Sequence, residues 1–416
     1  MDKIFDLIEK EQRRQENEIS LIASENLMSK DVIKACGSVL INRYSEGYPG
    51  KRYYAGNCIV DEIEQLAIDR ACELFECKYA NVQPNSGCQA NQAVYMSVCK
   101  PDDTILAMGV NEGGHISHSL NIGFAGVFYN VVKYGLTDSG YLNYDEIRDK
   151  LYSDNPRLLI VGGSAYPREI DFKRIRQTVD EYNKDVEYKC IMMVDMAHIS
   201  GLIAAKEHMS PFPYADVVTS TVQKTLRSGR GGLILTNEEW LIKKINSAVF
   251  PSIQGGPLNN MIAAKAVGFG EALQPEFKTY IQQVKKNIKA MENIFLKEGV
   301  KLISGGSDNH LLLIDLKETN VTGQMLETVL EKIGIVTNKN AVKNDPRPKT
   351  ETSGLRVGTA AVTTRGATEN DCSMMAHIIA TVIDQLNDYG AVSDKQFEIS
   401  KGWVTKWCKE HPIYRK

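Results

Sequence analysis

A lysine that works as a nucleophile needs a partly dry setting, which favours its neutral amine, and a neighbour that keeps whatever it binds electron-poor. Lys224 meets the first condition in its sequence. It follows the apolar run Val217-Val218-Thr219-Ser220-Thr221-Val222-Gln223, is flanked by hydroxyls, and precedes Ser228-Gly229-Arg230-Gly231-Gly232. Such a lysine suits a Schiff base with an aldehyde cofactor. Asp195 follows another apolar run, Cys190-Ile191-Met192-Met193-Val194. There a carboxylate can hold a protonated pyridine nitrogen, the pairing that makes pyridoxal phosphate an electron sink. Taken singly, Asp195 reads equally as a helix N-cap, Lys224 as a surface lysine in a turn, and His198 as a structural hydrogen-bonding residue. The separation of Asp195 and Lys224 by one strand–helix–strand step favours the paired reading.

Three further segments carry reactive or anion-binding groups. Asn85-Ser86-Gly87-Cys88-Gln89-Ala90-Asn91 runs into a helix expected to begin near Gln89. Small residues with open backbone N–H groups at a helix start suit a phosphate ester, or form a plain loop-to-helix junction. In Ser353-Gly354-Leu355-Arg356-Val357-Gly358 an arginine sits within an apolar strand, where it needs an anion. A substrate carboxylate gripped by the guanidinium fork and an internal salt bridge both answer that need. The stretch Tyr44 to Tyr54, dense in hydroxyls and charges with two glycines and a proline, reads as a loop, either a site wall or an exposed turn.

In an open α/β sheet, ligands collect at the carboxyl ends of the strands, so these residues imply such a sheet. Short apolar runs alternate with helical stretches from about residue 75 to 250: Thr104–Gly109, Val127–Gly135, Arg157–Gly163, Lys189–His198, Asp216–Lys224 and Gly231–Thr236. This is the pattern of a sheet buried on both faces. Residues 1–18 read as a helix with Ile4, Leu7 and Ile8 on one face, an arm able to embrace a partner subunit. Helices are expected at Asp61–Phe75, 257–298 and 369–388, with strand-like segments at Leu302–Leu316 and Gly354–Gly366. The expected division is an arm at 1–25, a large α/β domain at 26–279 and a smaller α+β domain at 280–416.

The 416 residues are 43% hydrophobic and 24% charged with a formal net charge of −3, which is globular usage with no electrostatic call for nucleic acid or an anionic membrane. Nine cysteines, odd in number and without a CxxC pair, give neither a disulfide framework nor a zinc site, so no metal is expected. No apolar run has signal-peptide or membrane-spanning length, and the expectation is a cytoplasmic protein with reduced thiols.

Together the segments resemble the serine hydroxymethyltransferase family along nearly the whole chain: LIASEN, YSEGYPGKRYYAG, YANVQPNSG, GGHISH, SAYPREIDF, VDMAHISGLIAA, KTLRSGRGG, INSAVFPSIQGGP, GGSDNHLLL and TSGLRVGT. The resemblance implies the aspartate-aminotransferase-like fold (pyridoxal-phosphate fold type I) and a homodimer, or a tetramer, with shared sites. It implies interconversion of L-serine and glycine, with the one-carbon unit passing to tetrahydrofolate. It makes Lys224 the cofactor-bearing amine, Asp195 the partner of the pyridine nitrogen and His115 the ring that stacks on the cofactor. Ser86, Gly87 and Cys88 would bind the phosphate, with Tyr44, Gly255 and Gly256 from the neighbouring subunit. His198, Ser164 and Gln223 would complete the cofactor shell. Arg356 would clamp the substrate carboxylate, with Ser24, Tyr54 and His198 nearby, and Glu46 would act as acid–base group. Folate would lie by Glu46, Tyr53, Val110, Ile116 and Asn340.

The chain also departs from the family pattern. Cys88 stands where serine is usual, Gln223 where histidine is usual, Ala360 where proline is usual and Ser119 where glycine is common. The polar stretch Ala341–Glu351 replaces a more apolar one. These departures leave open an aldolase, transaldolase or hydroxymethyltransferase on another β-hydroxy amino acid or acceptor without normal folate use, while the intact Lys224–Asp195 pair argues against a non-catalytic relative kept as a scaffold.

Overall fold

The computed structural model describes residues 2–414. By compactness it has two units, one built from the chain before Met28 and after Ile281, the other being Met28–Ile281. No described helix is long and apolar enough to cross a membrane.

The Met28–Ile281 unit is organised by a seven-stranded sheet: β1 (Tyr79–Asn81), β2 (Thr104–Met108), β3 (Asn130–Tyr134), β4 (Leu158–Val161), β5 (Ile191–Asp195), β6 (Val217–Thr221) and β7 (Gly232–Thr236). The spatial order is β1-β7-β6-β5-β4-β2-β3. Strands β2 to β6 pair in parallel, while β7 runs antiparallel to both β6 and β1. Alternation along a strand sends neighbours to opposite faces. Leu159, Val161, Met192 and Val194 join one apolar core, and Leu158, Ile160, Ile191 and Met193 join another on the opposite face. A sheet covered on both sides has no polar face, which is why these strands read as unbroken apolar runs. Each such buried side chain contributes about 1.5–3 kcal/mol.

In the other unit, β8 (Leu311–Asp315), β9 (Asn338–Asn340) and β10 (Gly354–Gly358) form an antiparallel sheet in the order β8-β10-β9. Leu312, Ile314, Leu355 and Val357 pack in one core with Met375, Ile379 and Val382 of the helix Glu369–Tyr389 and Val404 and Trp407 of the helix Asp394–Glu410. The N-terminal segment is built into this unit. Ile19 pairs in parallel with Ile335, and Gly358 N–H donates to Leu21 O. The Arg365 guanidinium donates to the carbonyls of Glu16, Glu18, Cys408 and His411 and lies over the Trp407 ring. It thus satisfies the carbonyl ends of two helices with one cation.

Several local expectations change. Residues 1–25, read from the sequence as a separate arm, group with the C-terminal unit; their helix Lys3–Asn17 keeps Ile4, Phe5, Leu7 and Ile8 about half exposed. The stretch 257–298 is two helices, Asn259–Ala272 and Pro275–Lys297, because Pro275 suits a helix start and not an interior. Ala360–Thr364, read as strand from its β-branched residues, is helical; the Thr363 hydroxyl bonds back to Thr359 O. The helix Asp394–Glu410, capped by Ser393, escaped the sequence reading because its apolar face is thin among lysines. The Tyr44–Tyr54 stretch, read as loop, contains a tight hairpin of Gly47–Tyr48 with Lys51–Arg52.

Candidate active site

Strands β5 and β6 are parallel neighbours with Asp195 opposite Thr219, so the carboxylate and the segment bearing Lys224 leave the sheet side by side. Beyond Thr221 the chain turns sharply. Arg227 N–H donates to Lys224 O and Ser228 N–H to Val222 O, with Arg227 in the left-handed region at φ 58°. Such a conformation costs about 1–3 kcal/mol in a non-glycine residue and persists only where its surroundings fix it. Here the Arg227 guanidinium rests over the Tyr280 ring. Next to Lys224, the Thr225 hydroxyl donates to His198 O (2.8 Å) and accepts from Gly201 N–H (3.0 Å). Lys224 is left 7% exposed, the desolvated setting a reactive amine needs.

Asp195 is held from three directions. Its Oδ2 accepts from His118 Nε2 (2.8 Å) and Asn91 Nδ2 (2.9 Å), and its Oδ1 from Ala197 N–H (3.0 Å). Burial would raise this carboxyl, but the His118 hydrogen bond, the charges of His118 and His115, and the Asn91 bond outweigh it and hold the group well below the usual carboxylate range. Asn91 Oδ1 accepts from the Thr219 hydroxyl and Asn91 Nδ2 also reaches Ser117 Oγ, which bonds His115 Nδ1 at 2.7 Å. One network therefore orients Asp195 and His115. Gly162, at φ 135°, makes room for the Asp195 carbonyl, into which a Cβ would collide. Ser164, just after β4, is fixed by its N–H to Gly113 O (2.7 Å).

The helix expected near Gln89 starts at Gly87, with Ser86 as N-cap accepting from Gln89 N–H. Its first turn presses on the end of β6: a Cβ on Gly87 would lie 2.6 Å from Thr221 Cγ2. Thr221 Oγ1 is buried and makes no hydrogen bond. Open first-turn amides, an unused buried hydroxyl, a dry amine and an ionised carboxylate on adjacent strand ends fit a phosphorylated pyridine aldehyde. Cys88 lies in the same first turn, partly buried, and Gln223 Oε1 accepts from Gly231 N–H at 3.3 Å.

Tyr44, Glu46, Tyr53, Tyr54, Gly255 and Gly256 make a second group in this unit. A Cβ on Gly255 would lie 3.3 Å from Glu46 Oε1 and one on Gly256 3.0 Å from Tyr44 Cε1, and the Tyr44 and Tyr54 rings meet edge to face. Arg52 clamps the hairpin between them through Asp61 and Glu64. Val110 begins a short turn of helix, and Ile116 is exposed.

Ser24, Asn340 and Arg356 belong to the other unit. Arg356 stands on β10 between Leu313 and Asn338, donates from Nε to Asn338 Oδ1 (3.1 Å), and is 8% exposed, with burial pulling its guanidinium down to about 10. Asn340 pairs in register with Gly354 and donates to Ala341 O, and Ser24 lies in a turn, partly buried. The polar stretch Ala341–Glu351 is internally pinned. Asp345 accepts from Ser353 N–H and Oγ, and Arg347 donates to the carbonyls of Leu316, Thr319 and Val321. Ala360 is buried at the start of its helix, and Ser119 donates to Met108 O.

The sequence reading gave no role to His118, and none to Asn91 and Thr219 beyond their place in the quoted segments. A usable signal existed for His118, which follows by three residues His115, the N-cap of a short helix, and whose ring lies 5.5 Å from that of His115.

A mainly parallel sheet of this order, with the smaller antiparallel sheet after it, defines the class as the pyridoxal-phosphate enzymes of fold type I. Within that class the chain belongs to the serine hydroxymethyltransferase family, whose sequence model matches residues 1–379. It is therefore a pyridoxal-phosphate-dependent enzyme of the one-carbon-transferring kind.

Proposed function

We propose that this enzyme interconverts L-serine and glycine and passes the one-carbon unit to tetrahydrofolate, acting as a cytoplasmic homodimer. The observation that carries the reading is the dry Lys224 one strand from an ionised, nearly buried Asp195, within a chain of this family. Pyridoxal phosphate, when bound, supplies the electron sink that lets the bond between Cα and Cβ of serine break.

The chain's own groups do the rest. Asp195 keeps a proton on the ring nitrogen, and its depressed pKa means that it stays anionic while doing so. Lys224 supplies the amine that carries the cofactor, and His115 offers a ring face oriented by Ser117. Ser86, Gly87, Cys88 and Thr221 hold the phosphate. Ser164, His198 and Gln223 line the remaining cofactor edge, and Tyr44, Gly255 and Gly256 serve the site of the neighbouring subunit. Arg356 receives the substrate carboxylate, with Ser24 and Tyr54 as further polar contacts, and Glu46 moves the proton at the serine hydroxyl. Tyr53, Val110, Ile116 and Asn340, with Glu46, form the folate contacts.

The test is the visible spectrum of the yellow holoenzyme with glycine, first without and then with tetrahydrofolate. A long-wavelength band that grows strongly when folate joins glycine is the expected result. A glycine spectrum indifferent to folate would overturn folate use and leave an aldolase acting on β-hydroxy amino acids.

A further inference from the structure

Lys265 lies on the helix Asn259–Ala272, 1% exposed, and takes no part in the chemistry assigned above. Its Nζ donates to three backbone carbonyls: Val82 (2.6 Å), Pro84 (2.9 Å) and Gly232 (2.9 Å). Pro84 O also accepts from Gly232 N–H at 2.9 Å, so the lysine closes a knot between the chain leaving β1 and the first residue of β7. Pro84 is two residues before Ser86, the N-cap of the helix Gly87–Val98. The Gly231-Gly232 pair permits this approach. A Cβ on Gly231 would lie 2.7 Å from Lys265 Nζ, and one on Gly232 would collide with Ser86 O.

Three carbonyl acceptors around one nitrogen require three N–H donors, which only the ammonium form has. Burial works the other way and pulls this amine down to about 7, with the Glu64 carboxylate opposing the fall. Glu64 is already engaged by Arg52 and Gln83. The two demands on Lys265 conflict until further negative charge arrives nearby, and the adjoining turn is the place where the reading above puts a phosphate dianion.

We propose that Lys265 is a positioning residue for the cofactor's phosphate: its ammonium fixes the carbonyls under the Asn85-Ser86-Gly87 turn and supplies a buried positive charge that favours a dianion there. This rests on the assignment of the phosphate to that turn.

The experiment compares the affinity of the apoprotein for pyridoxal phosphate and for pyridoxal, which has the same aldehyde and ring but no phosphate. Lys265→Gln, which keeps an N–H donor but not the charge, should lose about tenfold or more in affinity for pyridoxal phosphate. Its affinity for pyridoxal should not change. Equal losses for both ligands would show a purely structural knot and overturn the proposal. Gly87→Ala separates the two readings, because it must also lose affinity for the phosphorylated ligand selectively. If it does not, the phosphate lies elsewhere and the underlying assignment fails first. Should Lys265→Gln not fold, selectively 13C-labelled wild-type apoprotein provides the test. The Lys265 Cε resonance, assigned by its absence from Lys265→Arg, should shift when inorganic phosphate is added, and an unmoved resonance would overturn the inference.

Discussion

A carboxylate buried beside two histidines and an asparagine is informative because its surroundings, and not its exposure, decide its charge. Asp195 has its pKa in the folded chain shifted downward, so it contributes stability that is fully present above the ordinary aspartate value of about 3.9 and is lost as pH falls through the lower folded value. Asp195→Asn should therefore cost about 2–4 kcal/mol near neutral pH, and the gap to wild type should narrow below about pH 4. Urea unfolding midpoints of both apoproteins across that range check it; a gap that widens with acid would show that the carboxylate is not held ionised. The placement of Asp195 at one strand end and of Lys224 just beyond the neighbouring strand was legible because each closes an apolar run. The residues that tune the site were not. His118 and Asn91 stand 77 and 104 positions from Asp195, and Lys265 stands 183 from its first carbonyl, so only the folded chain shows what they touch. In sequence Lys265 is simply a lysine in a helix of alanines.

At the scale of elements, unbroken apolar runs were readable as strands of a sheet covered on both faces, since runs this short, with four buried residues in succession, suit a strand better than a buried helix. Where local preference and packing disagreed, the sequence misled. Thr363 and Thr364 favour strand, yet Ala360–Thr364 is helical, with the Thr363 hydroxyl answered inside the helix. The polar stretch Ala341–Glu351 likewise looks like an open loop but is fastened at Asp345 and Arg347. Arg347→Ala removes bonds to three carbonyls and should destabilise the C-terminal unit by about 2–3 kcal/mol. Amide exchange should quicken around residues 316–323 while the cofactor absorbance stays at its wild-type level. Unchanged exchange there would mean that the stretch holds its shape without the arginine.

For the whole molecule, the proposed dimer makes a prediction that no single chain can satisfy. If Tyr44 and Gly256 serve the partner's cofactor, Lys224→Ala and Gly256→Val are each inactive alone, but subunits mixed under dissociating conditions and reassembled should recover about a quarter of wild-type turnover, since half the dimers carry one intact site. No recovery in mixed dimers shown to form by sedimentation would place both groups in one chain's site. The attachment of the first residues to the later unit was not legible in the sequence, because a two-residue strand such as Ile19–Ser20 has no signature of its own. That attachment governs how the protein is made. Ile19 waits for Ile335, and the carbonyls of Glu16 and Glu18 wait for Arg365. At about 5–20 residues per second, a ribosome takes some tens of seconds to cover that interval. Throughout it the helix Lys3–Asn17 has been synthesised while the strand and cation that will anchor its C-terminal end do not yet exist, so the first element made is among the last to be fixed.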